Sequence, residues 1–322
     1  MQTKPANKEK KHWRKESKIA LAVAVIPLLG FIIFNGFPLI ISFIGMFSNV
    51  DLYDLSNIQW NNFEGFKSVF IPRHAYDLFY FDLSKYFYKS SWITVWIAST
   101  QLVTLLIALF IATLLREKFA GSKLFQILFF IPYICSTVAV ALMFRWIFDW
   151  EGGILNSMLG TDIKWLEEPK TITWCIIIAI IWSAPGYGIV MYKAAFSNIN
   201  SALYEAASVD GANAWHKFRH VTLPGISPTT FFLLQAGVGA GFLTYDLAQL
   251  IIPNAWGVPG GKESMGLTLM RLVYYLITNS TTTDANGVSY MVSCACVISW
   301  LLFIVTGVLS MIMFNLREKS ER

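Results

Sequence analysis

One stretch of this chain, residues 205–224, combines residue types and spacings that suit specific binding to another surface. It is polar, it favours helix, and it lies between two long apolar runs. Its alanines favour a helix, a glutamate suits the helix N-terminus, and Asp210-Gly211 permits a turn with positive φ at the glycine. We therefore predict two short helices, about Tyr204 to Val209 and about Asn213 to His220, that form a protruding docking element.

A second group of residues could contact a hydrophilic solute, because polar, aromatic and helix-breaking residues lie inside apolar runs. Aromatic faces stack on the apolar faces of sugars, while Asp and Thr exchange hydrogen bonds with hydroxyl groups. Solute sites in transporters often form where broken helices meet polar groups in mid-membrane. We expect such a break at Pro185-Gly186-Tyr187-Gly188. We predict that a path for the solute through the membrane is lined by Tyr187, Gly241, Thr244, Tyr245 and Asp246.

An alternative interpretation gives most of these residues no role in solute binding. Glycines inside apolar helices often serve tight helix packing. Tyr245 and Asp246 would then only mark the end of an apolar run. The sequence alone leaves both interpretations open.

Motifs that would indicate an enzyme are absent from the sequence. The glycine-rich segment 257–262 is not a P-loop, because Trp256 takes the place of the first glycine and Glu263 that of the Ser or Thr that holds magnesium. His216 and His220 lack the glutamate of a zinc metalloprotease motif, so a solvated helix face is the simpler interpretation. We predict that the chain is not an enzyme, needs no metal or cofactor, and uses its cysteines as small buried apolar residues.

The composition indicates a membrane protein. Of the 322 residues, 55% are hydrophobic and 14% are charged, and the mean hydropathy is +0.53, whereas a soluble chain carries about 25% charged residues. A helix needs about 20 apolar residues to cross the hydrocarbon core. Continuously apolar runs argue against membrane strands, which alternate. We predict an all-α polytopic membrane protein with six transmembrane helices, at about 19–47, 90–115, 124–148, 171–196, 229–252 and 288–314.

The distribution of Lys and Arg predicts how the chain is oriented. Sixteen of its 25 basic residues lie in the tail 1–18, after the second span, around the docking element and in the C-terminal tail. Cytoplasmic loops carry such an excess, so we predict a cell-membrane protein with both termini and the docking element in the cytoplasm. The basic tail 1–18 then precedes one membrane domain, 19–322, and is not expected to bind nucleic acid. The aromatic segment 48–88 would be external, either in the interfacial belt beside lipid or as a cap that touches a partner.

The docking element resembles the EAA loop of permease subunits of bacterial binding-protein-dependent carbohydrate ABC importers of the maltose type. The family pattern is E-A-A, two residues, D-G-A, and later a hydrophobic residue followed by T-L-P. This chain has Glu205-Ala206-Ala207, Asp210-Gly211-Ala212 and Val221-Thr222-Leu223-Pro224.

The resemblance implies the type I importer permease fold, with a coupling loop at 197–227 that contacts a separate ATPase subunit. Glu205 would pair with a basic residue of that ATPase, and Gly211 would shape the turn. Tyr187 aligns with a substrate-contacting tyrosine of the family. Further implied partners are a second homologous permease, two ATPase subunits, an extracytoplasmic solute-binding protein and a carbohydrate. The coupling residues implied by the resemblance are Glu205, Ala206, Ala207, Asp210, Gly211, Leu223 and Pro224.

Other functions stay open at this point. The solute could instead be a glycerol phosphate or a polyamine, since the motif does not name the cargo. A stand-alone six-span channel or secondary transporter is a second alternative, and a membrane scaffold is a third. The intramembrane charges Arg145, Lys193 and Asp246 lie near span ends. A proton-coupled transporter usually has ionisable residues deeper in its spans, so the sequence argues weakly against that class.

Overall fold

The computed structural model describes residues 20, 22–50, 58–72, 82–116, 121–252, 260–279 and 290–321. The basic tail 1–18, parts of the external aromatic segment and most of the glycine-rich turn at 257–261 lie outside the described residues. The described part is mostly helical, which confirms the predicted all-α class.

The helices follow the apolar intervals of the sequence. Their order is α1 (Ala22–Gly45), α2 (Glu64–Phe70), α3 (Leu83–Leu114), α4 (Ser122–Ile134), α5 (Thr137–Ile147), α6 (Ile154–Leu159), α7 (Pro169–Ser183), α8 (Pro185–Ser197), α9 (Ser201–Val209), α10 (Ala214–Lys217), α11 (Leu223–Phe242), α12 (Asp246–Ile251), α13 (Leu269–Thr278) and α14 (Met291–Glu321). Two short strands, β1 (Ser48–Asn49) and β2 (Gln59–Trp60), pair antiparallel after α1.

Four helices in the described chain are long and apolar enough to cross a membrane, and the bent pair α4–α5 makes five if it forms one span. The four are α1, α3, the joined α7–α8 and α14. The remaining predicted interval falls on α11, which has 20 residues. Pro224, Pro228 and Gln235 lower the hydropathy of α11, so it does not stand out as a span by composition.

The third predicted interval is not one straight helix. It consists of α4 and α5, which meet at an angle of 96°. Cys135 (ψ 144°) and Ser136 (ψ 136°) take extended conformations between them. Because every residue around this bend is apolar or small, hydropathy did not indicate it.

The break predicted at 185–188 does not divide the fourth span. Only Ala184 separates α7 from α8, and it keeps helical dihedral angles, so 169–197 forms one span. Pro185 is tolerated because it begins α8, where its fixed φ suits a helix.

The fifth predicted interval, by contrast, contains a break that was not predicted. The helix ends at Phe242, and a new helix begins at Asp246. The Thr268 hydroxyl donates to the Thr244 carbonyl (2.8 Å) and thereby replaces a helical hydrogen bond.

Helix α3 is the centre of the bundle, since it packs on α2, α7, α8, α11 and α13. One buried cluster joins α3 to α8 and α11 and includes Ala112, Ile189 and Ile226. A second cluster joins α3 to α5, α7 and α12, and a third joins α13 to α14. By contrast, the most apolar part of α1 has no buried residue in the single chain.

A buried arginine fixes the end of the bundle where α12 and α13 lie. The Arg271 side chain, 1% exposed, donates to the carbonyl oxygens of Ala248 (3.1 Å), Gly266 (3.2 Å) and Ile252 (3.0 Å). A guanidinium with several donors in a fixed fork suits such a role. Arg271 therefore holds α12 and the turn before α13 in place.

Candidate coupling element and solute groove

The first helix of the coupling element, α9, begins three residues before the predicted position. The Asn200 side chain caps it by accepting a hydrogen bond from the Ala202 amide (3.0 Å). The helix ends at Val209, and Gly211 has φ +75°. This geometry confirms the predicted turn, because an L-residue with a side chain rarely adopts that φ.

The second arm of the element runs into the membrane domain without a break. The Asn213 side chain accepts from the His216 amide (2.9 Å) and caps α10. A π-helical turn, Phe218–Thr222, then continues directly into α11. Pro224 lies in the first turn of α11, two residues after the end of the π-helical turn. Because the helix is continuous, a movement of α10 is transmitted directly to α11.

The surface of the coupling element is open in the single chain. No residue of α9 is buried. Ala207 is half-buried, and the other predicted coupling residues are exposed, namely Glu205, Ala206, Asp210, Gly211, Leu223 and Pro224. The Glu205 carboxylate forms no ion pair with any residue that the structure describes. Val209 is 89% exposed and Trp215 is 62% exposed, so apolar side chains lie beside an unpaired charge, a pattern typical of an interaction site.

A groove lies between α3, α4, α8 and α11. It comprises two cavities, of about 260 Å³ and about 350 Å³. Gln101, Tyr133, Ala184 and Ala240 line both of them, so the two are neighbouring parts of one groove.

Four of the five predicted path residues line this groove. Tyr187 lines the smaller cavity, and its ring stacks on Tyr133 with centroids 5.6 Å apart. Thr244, Tyr245 and Asp246 line the larger cavity, at the break between α11 and α12. The groove therefore presents an aromatic pair at one end and hydroxyl and carboxyl groups at the other, which suits a polyhydroxylated solute.

Gly241, the fifth predicted residue, faces helix α3 instead. A Cβ atom at this position would lie 2.7 Å from the Cα atom of Ala98. Gly241 is buried and lines neither cavity. Its position supports the packing interpretation, in which the missing side chain lets α3 and α11 approach closely.

The sequence interpretation missed several groove residues. Gln101 was detectable as a lone amide within an apolar run, since polar groups in spans are costly and usually functional. Tyr133 carried no such signal, because aromatic residues are common throughout this chain. Other hydroxyl- or thiol-bearing residues that line the groove and were not predicted include Thr104, Cys135, Thr137 and Ser183.

Comparison with known proteins assigns the chain to a family. The sequence model of one protein family, the binding-protein-dependent transport system inner membrane components, matches residues 104–318, which is well over half of the chain. The chain belongs to this family. The match begins within α3 and includes the groove helices and the whole coupling element.

Individual members of this inner membrane component family are similar over much of their length. The lactose transport system permease protein LacF of Rhizobium radiobacter is 31% identical over 219 residues, which cover 66% of this chain and 69% of LacF. The arabinooligosaccharides transport system permease protein AraP of Bacillus subtilis (strain 168) is 28% identical over 254 residues, 77% of this chain and 74% of AraP.

A solved structure shares the fold. It is a crystal structure of a bacterial ABC transporter involved in the import of the acidic polysaccharide alginate. The match has a TM-score of 0.74 at 21% identity and covers 96% of this chain and 99% of the other. The chain therefore shares its arrangement of helices with the matched chain of that structure.

Proposed function

We propose that this chain is the permease subunit of an ABC importer that brings a carbohydrate into the cell, driven by a separate ATPase subunit. The observation that carries the proposal is the coupling element of this family member. Its helix–turn–helix exposes apolar side chains and Glu205, which forms no ion pair with any described residue. A surface of this kind suits insertion into a groove of a partner.

A carbohydrate is the solute that fits the groove and the relatives best. LacF and AraP carry names that refer to lactose and to arabinooligosaccharides. In this chain, the stacked pair Tyr133 and Tyr187 offers a face to a sugar ring, and Gln101, Thr244 and Asp246 offer hydrogen-bonding groups.

One coupling residue provides a charge for the contact with the ATPase, and the others set the shape of the docking surface. Glu205 pairs with a basic residue of the ATPase, and the small side chains of Ala206 and Ala207 let the partner approach α9 closely. Asp210 and Gly211 form the turn. Leu223 and Pro224 begin α11, at the junction with the membrane domain.

The membrane arrangement has six spans, both termini in the cytoplasm and the coupling element on the same side. It counts the bent pair α4–α5 as one span and α11 as another, since 20 helical residues reach about 30 Å. The partners are a second homologous permease, two ATPase subunits below the membrane and a solute-binding protein outside. ATP hydrolysis belongs to the ATPase subunits.

Uptake by whole cells tests this function. A strain that lacks this permease, and the same strain with the gene restored, would be compared for uptake of labelled lactose, arabinooligosaccharides, spermidine and glycerol 3-phosphate. We expect loss and restoration of uptake of a saccharide, dependent on cellular ATP. Loss confined to spermidine or glycerol 3-phosphate would leave the importer class standing and overturn the carbohydrate assignment.

A further inference from the structure

Helix α9 is attached to the membrane domain mainly through one side chain, Tyr204. No residue of α9 is buried, and α9 makes no extensive contact with another described helix or strand. Tyr204 is half-buried, and its hydroxyl shares a hydrogen bond with the Thr222 hydroxyl (2.8 Å). Thr222 is 2% exposed and directly precedes α11. The hydroxyl of Tyr204 thus joins the docking helix to the beginning of α11.

The ring of Tyr204 also joins α9 to the end of α3. The guanidinium carbon of Arg116 lies 4.1 Å from the centroid of the Tyr204 ring and 5.9 Å from that of Phe196. Arg116 follows the last residue of α3 by two positions, and Phe196 belongs to α8. A cation over an aromatic face is attractive at this distance, also at an exposed site such as that of Arg116.

Three of the four helices that line the groove meet around Tyr204. Helix α3 provides Gln101, α8 provides Tyr187, and α11 provides Ala240. Helices α3 and α11 also form the most extensive helix pair in the described chain. A displacement of α9 is therefore passed to α3, α8 and α11 through this cluster of side chains, beside the continuous helix that connects α10 to α11.

We infer that Arg116, Tyr204 and Thr222 form the joint that transmits movement of the docked ATPase to the groove helices. The inference rests on the proposed function and adds three positioning residues to it. None of the three is required to touch the ATPase or the solute. Breaking the joint should leave docking and ATP hydrolysis intact while it greatly reduces their effect on the groove.

The native Cys135 thiol offers a readout that needs no knowledge of the solute. It is exposed in the groove, whereas Cys175 and Cys294 are buried and Cys296 is half-buried. Labelling of membranes by N-ethylmaleimide, with and without ATP and vanadate, would report how the groove opens. A Cys135→Ser variant identifies the signal that belongs to this thiol.

The variants measure separately what the Tyr204 ring, the Tyr204 hydroxyl and the Arg116 charge each contribute to the joint. In complexes that retain the ATPase, we expect Tyr204→Ala and Arg116→Gln to lose most of the effect of ATP and vanadate on Cys135 labelling. Uptake per ATP hydrolysed should fall by about fivefold or more. Arg116→Lys should restore part of the effect because it keeps the charge. Tyr204→Phe should fall between Tyr204→Ala and the natural chain, because it keeps only the ring contact.

A second cation–aromatic pair provides the matched control. Lys164 lies 4.3 Å from the ring centroid of Trp150, in a part of the chain remote from the coupling element in sequence. Lys164→Gln should leave both readouts unchanged. A double-mutant cycle between positions 116 and 204 should show that the two effects are not additive, since both act through one contact.

Three results would overturn the inference. Unchanged labelling and unchanged coupling in Tyr204→Ala and Arg116→Gln would mean that movement passes by another route. Loss of ATPase association in these variants would mean that the cluster shapes the docking surface rather than transmitting movement. Absence of any ATPase from the natural complex would instead contradict the proposed function itself.

Discussion

At the scale of single residues, the groove is defined by a few polar and aromatic side chains in apolar surroundings. Tyr187 was identified from its place beside Pro185 and from the family resemblance, and Asp246 from its place near the end of an apolar run. Gln101 and Tyr133 complete the groove, but they lie on two other helices. Their meeting with Tyr187 depends on the packing of α3 and α4 against α8, which no local pattern encodes.

We predict that Tyr187→Ala, Thr244→Ala and Asp246→Asn each weaken solute uptake. Loss of a stacking face or a hydrogen-bonding group should reduce uptake at low solute concentration by about three- to tenfold. Stimulation of ATP hydrolysis by the loaded binding protein should persist, because these residues lie in the groove and not in the coupling element.

Uptake kinetics with Tyr88→Ala supply the control, since Tyr88 is an exposed tyrosine outside both cavities. If all three groove variants transport like the natural chain, the solute path does not use this groove.

At the scale of helices, the apolar intervals predicted where helices lie but not how they bend. Each interval is long and apolar whether its helix is straight, as in 169–197, or bent by 96°, as at Cys135. The break after Phe242 depends on a hydrogen bond from Thr268, 24 residues further along the chain than Thr244. The N-terminal caps of α9 and α10 depend on local sequence instead, because Asn200 and Asn213 accept hydrogen bonds from amides two and three residues away.

The contact between α3 and α11 gives a stability prediction at this scale. Gly241→Ala places a methyl group against the backbone of Ala98 and should destabilise the protein by about 1–3 kcal/mol. Gly239→Ala is the matched control, because no atom lies within 4 Å of its Cβ position. That change should be neutral or stabilise the helix by about 0.5–1 kcal/mol. Melting temperatures in detergent measure both, and equal values for the two variants would mean that α3 and α11 are not closely packed at Gly241.

At the scale of the whole molecule, composition and charge predicted a multi-pass membrane protein, and the apolar helices of the structure agree. The orientation follows only from the basic residues, since the structure contains no membrane. A cytoplasmic reporter fused after Arg322 should be active, and a reporter inserted at the exposed turn of Gly160 should face the exterior. Alkaline phosphatase and green fluorescent protein fusions distinguish the two sides, and a cytoplasmic Gly160 would contradict the six-span arrangement.

We expect this chain to work only with an ATPase that binds its coupling element. The most direct measurement is ATPase activity that co-purifies with the tagged chain from its native membranes in mild detergent. We predict that the natural chain retains this activity and that Glu205→Lys reduces it by about tenfold or more, because like charges would meet at the docking surface. Glu151→Lys, at an exposed turn far from Glu205 in sequence, should have no effect. A natural chain that carries no ATPase, or a Glu205→Lys variant that keeps it in full, would contradict the account.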